Sequence, residues 1–122
     1  MGNVGDSRAI VVREDPLDPK QCIAEPLTRD HKPDDPEEYK VIMAAGGRVD
    51  SYRDGNNRKV GPERVWLKHE DIPGLAMSRS FGDLVAARVG VNCVPEFGER
   101  RLTPSDKVII LASDGVWEFL EN

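Results

Sequence analysis

The segment with the most chemical potential is Val108-Ile109-Ile110-Leu111-Ala112 running into Ser113-Asp114-Gly115. An unbroken apolar run of this length reads as a buried strand. A carboxylate at the end of such a strand projects into the mouth of a fold, and the glycine after it lets the chain turn closely beside it, a common setting for a metal ligand. Glu118 stands four residues beyond Asp114, so helix from Val116 onward would set it about one turn away and able to face the same ion. Oxygen donors of this kind suit a hard divalent cation, magnesium or manganese, that keeps some of its waters. The competing reading is plain: Asp114 caps the following helix and Glu118 is a solvated side chain. Asp6, between Gly5 and Ser7, carries a similar ambiguity, because Gly-Asp-Ser is an ordinary turn sequence.

Other chemistries find less support. Asp50, Asp54 and Gly55 match positions of a calcium-binding loop, but Tyr52 and Gly61 stand where ligands are needed, so the segment reads as a hairpin loop. Neither histidine, His31 or His69, has a serine or cysteine partner in a nucleophile arrangement, and His31 reads as fixing a turn. There is no Walker-type loop and no GxGxxG. Cys22 and Cys93 lie far apart and outside any metal spacing, and read as small packing residues in a reducing compartment.

The elements that must position these groups are short. Ala9 to Val12 form a strand-like run, and a second strand from Gln21 to Glu25 would complete a hairpin across the Pro- and Asp-rich residues 14–20. A helix is signposted over 36–45 by Asp34 and Asp35 as caps, Pro36 in the first turn, Glu37 and Glu38 at the positive end of the dipole, and Gly46-Gly47 as the stop. Tyr39, Ile42 and Met43 would share one face. Residues 48–70 read as an irregular, charged excursion with a hairpin tip at Asp54-Gly55-Asn56-Asn57. Residues 76–81 suggest a helical turn, 91–97 an extended piece, and 116–120 a helix that stops before completing two turns. The chain opens as though in mid-sheet, so both ends are expected to be cuts through a larger domain.

Composition narrows the function. A net charge of −5 provides no basic field for nucleic acid or anionic lipid. No apolar run approaches the roughly 18 residues of a membrane span, and no signal peptide opens the chain, so an intracellular protein is expected. Met1-Gly2 does not make a myristoylation site, because Asp6 stands where serine or threonine is required. Only 39% of residues are hydrophobic and 32% are charged, which is thin for a self-sufficient domain.

Taken together and in order, five segments resemble the type 2C protein phosphatases. Asn3-Val4-Gly5-Asp6-Ser7-Arg8 is similar to that family's strand motif, Leu27-Thr28-Arg29-Asp30-His31-Lys32-Pro33 to its turn before a helix, and Ala44-Ala45-Gly46-Gly47-Arg48-Val49 to the helix end. Residues 74–83, Gly-Leu-Ala-Met-Ser-Arg-Ser-Phe-Gly-Asp, resemble the close of its flap, and residues 111–118 its metal-binding strand and turn. The resemblance implies an α+β fold, part of a sandwich of two antiparallel sheets flanked by helices, with residues 1–122 a partial catalytic domain and 49–74 flap-like. It implies a serine/threonine phosphatase acting on phosphoproteins through a water activated by a dinuclear magnesium or manganese centre. Asp114 would bind that centre, and Asp6 and Glu118 would join Asp114 around a possible third ion; the family more often has Asp where this chain has Glu118.

The family's Glu-Asp pair, Asp-Gly-His-Gly segment, phosphate-binding Arg and final Asp-Asn motif have no counterpart in this sequence. The 122-residue chain alone is therefore expected to be inactive, with open sheet edges through which copies could associate. The alternative is a non-catalytic pseudophosphatase that uses the excursion as a protein-binding module. Within the excursion, Trp66 reads either as an exposed anchor for substrate or partner, or as a pin holding the loop to the core. Trp117 reads as core beside the metal strand, and Arg79 as a structural partner of Asp83.

Overall fold

β-branched runs and one capped helix organise the chain, as a computed structural model describing residues 1–122 shows. In chain order the elements are β1 (Gly2–Asn3), β2 (Arg8–Glu14), β3 (Cys22–Pro26), α1 (Pro36–Ala44), β4 (Arg48–Arg53), β5 (Lys59–Trp66), β6 (Pro73–Leu75), α2 (Leu84–Ala87), β7 (Glu96–Phe97), β8 (Asp106–Ala112) and α3 (Asp114–Trp117). They form two compact units, one of Met1–Asp30 with Pro95–Asn122 and the other of His31–Val94. All strand pairs within the sheets are antiparallel. No helix is long and apolar enough to cross a membrane.

The first unit is built on β2. Its Ala9, Ile10 and Val11 are buried because the strand lies at the centre of the sheet β3-β2-β8. The expected hairpin forms, closed by the hydrogen bond from Asp15 N to Gln21 O and tightened by Asp15 and Asp18 carboxylates that accept backbone N–H groups. An ion-pair chain runs from Arg13 through Glu25 and Arg100 to Asp106, tying β3 and β8 across β2. The strand expected over 108–112 is present but not buried. Val108, Ile109, Ile110 and Leu111 are 51, 44, 39 and 75% exposed. They alternate between the two faces of an edge strand, so both faces are open. Cys22 and Cys93 are also exposed rather than packed.

The second unit begins with α1, whose start is as read: the Asp35 carboxylate accepts from the N–H groups of Glu37 and Glu38. Ile42 alone of its apolar face is buried, while Tyr39 and Met43 are exposed. Ile42 packs with Val65, Leu67, Ala86, Val89 and Val91 as the core. Gly47 is required there, since a Cβ would lie 2.7 Å from Ile42 Cγ2. The excursion proves ordered: β4, β5 and β6 form a three-stranded sheet. The outer half of its hairpin is solvated on both faces, so no apolar alternation marked it. Residues 76–81 are not a helical turn, because Ser78 N bonds His31 O and Ser80 N bonds Asn92 O, which directs this backbone sideways. The helix falls later, in α2.

Candidate functional site

Asp114 is the first residue of α3, directly after the end of β8. Ser113 occupies the cap position without a side-chain cap bond. The N–H of Glu118 donates to Asp114 O at 2.8 Å. This i to i+4 bond sets the two carboxylates one above the other on one face of the turn, and both are exposed. The helix thus starts at Asp114 itself, two residues earlier than the expected start at Val116.

Asp6 approaches from the other strand. β2 and β8 pair with Arg8 opposite Ala112 and Ala9 opposite Leu111. Asp6 stands two residues before the first paired residue of β2, and Asp114 two residues after the last paired residue of β8. Both residues thus lie at the same end of one antiparallel strand pair; the cavity of about 370 Å³ at that end is lined by Ser7, Ala112 and Ser113 and by neither aspartate. Asp6 is half-buried and follows Gly5, whose φ of 105° suits glycine.

A fastening that the sequence did not reveal holds this end of the sheet. Trp117 Nε1 donates to Ala112 O at 2.9 Å and to Arg8 O at 3.0 Å. The Arg8 guanidinium lies 5.3 Å from the Trp117 ring centroid and grips Asp30 through Nε and Nη2, each at 2.9 Å. Its hydrogen bond to Asp30 raises the Arg8 pKa further. The signal was present in the adjacency of Asp6-Ser7-Arg8 and Asp114-to-Trp117, but only strand pairing brings the two together.

The donors are carboxylates, chemically suited to magnesium or manganese. No three His, Cys, Asp or Glu side chains gather closely enough to hold an ion.

Two readings of individual residues change. Trp66 is 5% exposed, so it is a pin rather than an exposed anchor: Nε1 donates to Asp50 O at 2.8 Å, and Tyr52 meets its ring edge to face at 5.2 Å. Arg79 does not pair with Asp83. It bonds Glu38 through Nε at 3.1 Å and Nη2 at 2.5 Å, while Asp83 accepts from Ser80 Oγ. Asp83 sits in the left-handed region at φ 33°, just before α2, which keeps it with its local partner. Burial, the largest influence on Glu38, pushes its pKa up, but hydrogen bonds from Arg79 and Ser78, with the charges of Arg79 and His31, hold it below the usual carboxylate range.

Comparison with known proteins gives the family. The family model "Protein phosphatase 2C" matches residues 1–122. The chain belongs to the protein phosphatase 2C family. It is 49% identical to "Probable protein phosphatase 2C 52" of Arabidopsis thaliana, covering 100% of this chain and 25% of that protein. Against "Probable protein phosphatase 2C 12" of Oryza sativa subsp. japonica the identity is 44%, over 100% of this chain and 30% of the relative. The chain thus spans about a quarter to a third of these relatives. Among solved structures, serine-threonine phosphatase 2C from Toxoplasma gondii superposes with a TM-score of 0.80 at 33% identity, covering 98% of this chain and 38% of that one. The fold is therefore that of the 2C phosphatases, with antiparallel sheets and a few helices. A C. elegans sex determining protein shares the fold at a TM-score of 0.70 and 24% identity, over 97% of this chain and 24% of that one.

Proposed function

We propose that the protein carrying this chain is a metal-dependent serine/threonine phosphatase acting on phosphoproteins. The observation that carries the reading is the β2–β8 register, which sends Asp6 and Asp114 out of the same end of the sheet, with Glu118 one helical turn from Asp114. Asp114 is assigned to a dinuclear magnesium or manganese centre, and Asp6 and Glu118 join it around a third ion. Bound metal supplies an acidified water and positive charge against the phosphate. Within this chain, Arg8 and Trp117 hold α3 against the strand ends and so keep Asp114 aimed. No side-chain nucleophile is required.

Because the family's Glu-Asp pair, Asp-Gly-His-Gly segment and final Asp-Asn motif have no counterpart in this sequence, the 122-residue chain alone is predicted to be inactive. The test is manganese-dependent release of phosphate from a phosphoserine peptide by the protein at its natural length and by the 122-residue chain. Activity in the former, lost in Asp114→Asn without a change in melting temperature, supports the assignment. Asp114→Asn with full activity refutes the ligand role, and an inactive natural-length protein favours the non-catalytic binding module. Metal-dependent hydrolysis by the 122-residue chain alone would refute its predicted inactivity. The open edges of β3 and β8 also support self-association of the isolated chain.

A further inference from the structure

The turn that leads into β8 joins an exposed hydroxyl to a buried charge. The chain has eight serines and threonines, and of these only Ser7, Thr103 and Ser113 are exposed. Thr103 alone among them precedes a proline, Pro104. Arg101, Leu102 and Pro104 are exposed with it, and residues 98–103 belong to no helix or strand. Such a stretch can be drawn out into an extended conformation without breaking regular structure, and Pro104 has no N–H to give up.

What lies behind the hydroxyl sets Thr103 apart. The Asp106 side chain is 4% exposed, and both of its oxygens are occupied. Oδ1 accepts from Arg100 Nη2 at 2.6 Å, while Oδ2 accepts from Thr103 N at 2.8 Å and from Thr103 Oγ1 at 3.2 Å. Ser105 Oγ stands 2.8 Å from the same Oγ1. Arg100 also holds Glu25, which pairs with Arg13. The hydroxyl is thus the outer end of the ion-pair chain that crosses the β3-β2-β8 sheet. Hydrogen bonds from Arg100, and after it from Thr103 N, hold the Asp106 pKa below the usual carboxylate range. A negative group placed on Oγ1 would face this buried carboxylate at close range and would take away the hydroxyl proton that now bonds it.

We propose that Thr103 is a phosphorylation site for a proline-directed protein kinase, and that the phosphate opens the turn at the start of β8. In the transfer, Oγ1 bonds the γ-phosphorus of ATP as the bond from that phosphorus to the β–γ bridging oxygen breaks. ADP leaves with the electron pair, and the hydroxyl proton passes to the kinase's base. The new group carries a charge of about −1.5 to −2 at pH 7. It repels Asp106 and competes with it for Arg100, and either effect draws Asp106 Oδ2 away from Thr103 N. A kinase that requires an upstream arginine finds Arg100 already bound to Glu25 and Asp106, which favours the class that reads Pro104. The site stands apart from the proposed hydrolysis and does not rest on it.

The test treats the natural-length protein with the γ-thio analogue of ATP and a mitogen-activated protein kinase, and in parallel with a cyclic-AMP-dependent kinase. Mass spectrometry locates the mark. A thiophosphate resists phosphatases, so the protein's own activity, present or absent, leaves the result unchanged. The proline-directed enzyme should mark Thr103, and Thr103→Val and Pro104→Ala should each lose the mark. In the marked protein, amide hydrogen exchange across residues 102–106 should speed up at least roughly tenfold. In Asp106→Asn, where the facing charge is gone, marking should add little further exchange. The proposal is overturned by an unmarked Thr103, by marking with the cyclic-AMP-dependent enzyme alone, by unchanged exchange in the marked protein, or by equal acceleration in Asp106→Asn.

Discussion

Arg79→Met is predicted to be among the most destabilising substitutions in the second unit, and more damaging than Glu38→Gln. The Glu38 side chain is 4% exposed and its partner Arg79 18% exposed, and three N–H to oxygen contacts of 2.5 to 3.1 Å join them. Removing one partner of a buried pair costs about 3–5 kcal/mol, mainly because the other charge stays buried without compensation. In Arg79→Met the stranded charge is Glu38, with almost no access to water, so the full range applies at neutral pH. In Glu38→Gln the guanidinium keeps its bond to Val94 O and some solvent, which lowers the cost to about 1–3 kcal/mol.

The pH dependence separates this account from simple loss of packing. In the wild type the Glu38 pKa is held below its ordinary 4.5. Its stabilisation is therefore complete above the unfolded pKa and lost as pH falls through the lower folded one. Without Arg79, burial, the largest influence, is opposed only by the Ser78 hydrogen bond and the charge of His31, so the Arg79→Met penalty should shrink as pH falls from 7 toward the unfolded pKa and Glu38 becomes neutral. Urea unfolding of the single and double variants across this range measures both effects. An Arg79→Met penalty below about 1 kcal/mol, one independent of pH, or strict additivity in the double variant would refute the reasoning.

Trp117→Phe removes the N–H shared by Arg8 O and Ala112 O. It should cost about 1–2 kcal/mol at this half-buried position and weaken manganese binding by the natural-length protein, as calorimetry would show; unchanged affinity means that α3 is positioned without it. For the isolated chain, Leu111→Ser at a position 75% exposed should reduce sedimentation-detected oligomers with little loss of stability, and an unchanged distribution excludes β8 as the associating edge.

Local chemistry was legible wherever a residue's role depends on its immediate neighbours. Asp35 caps α1 because a carboxylate beside Pro36 meets the free N–H groups of Glu37 and Glu38, and the Asp114–Glu118 spacing needs only one helical turn. The β2–β3 hairpin followed from an apolar run and an Asp- and Pro-rich turn. Family membership was legible too, since five ordered segments carry it.

The remainder depends on partners distant in sequence. Residues 48–70 looked irregular because their strands are largely solvated, and backbone pairing leaves no hydrophobic period to read. Arg79 chose Glu38, 41 residues away, over its neighbour Asp83, because the fold buried Glu38 and burial makes an uncompensated carboxylate too costly to leave alone. Trp66 turned inward for a related reason, its indole N–H finding a carbonyl on the facing strand. The sequence by itself thus determined the family and the cap of α1. Only the tertiary structure decided that Asp6 and Asp114 share one end of a sheet, and that Trp66 turns inward under Arg48, because strand register and burial are set by the whole chain at once.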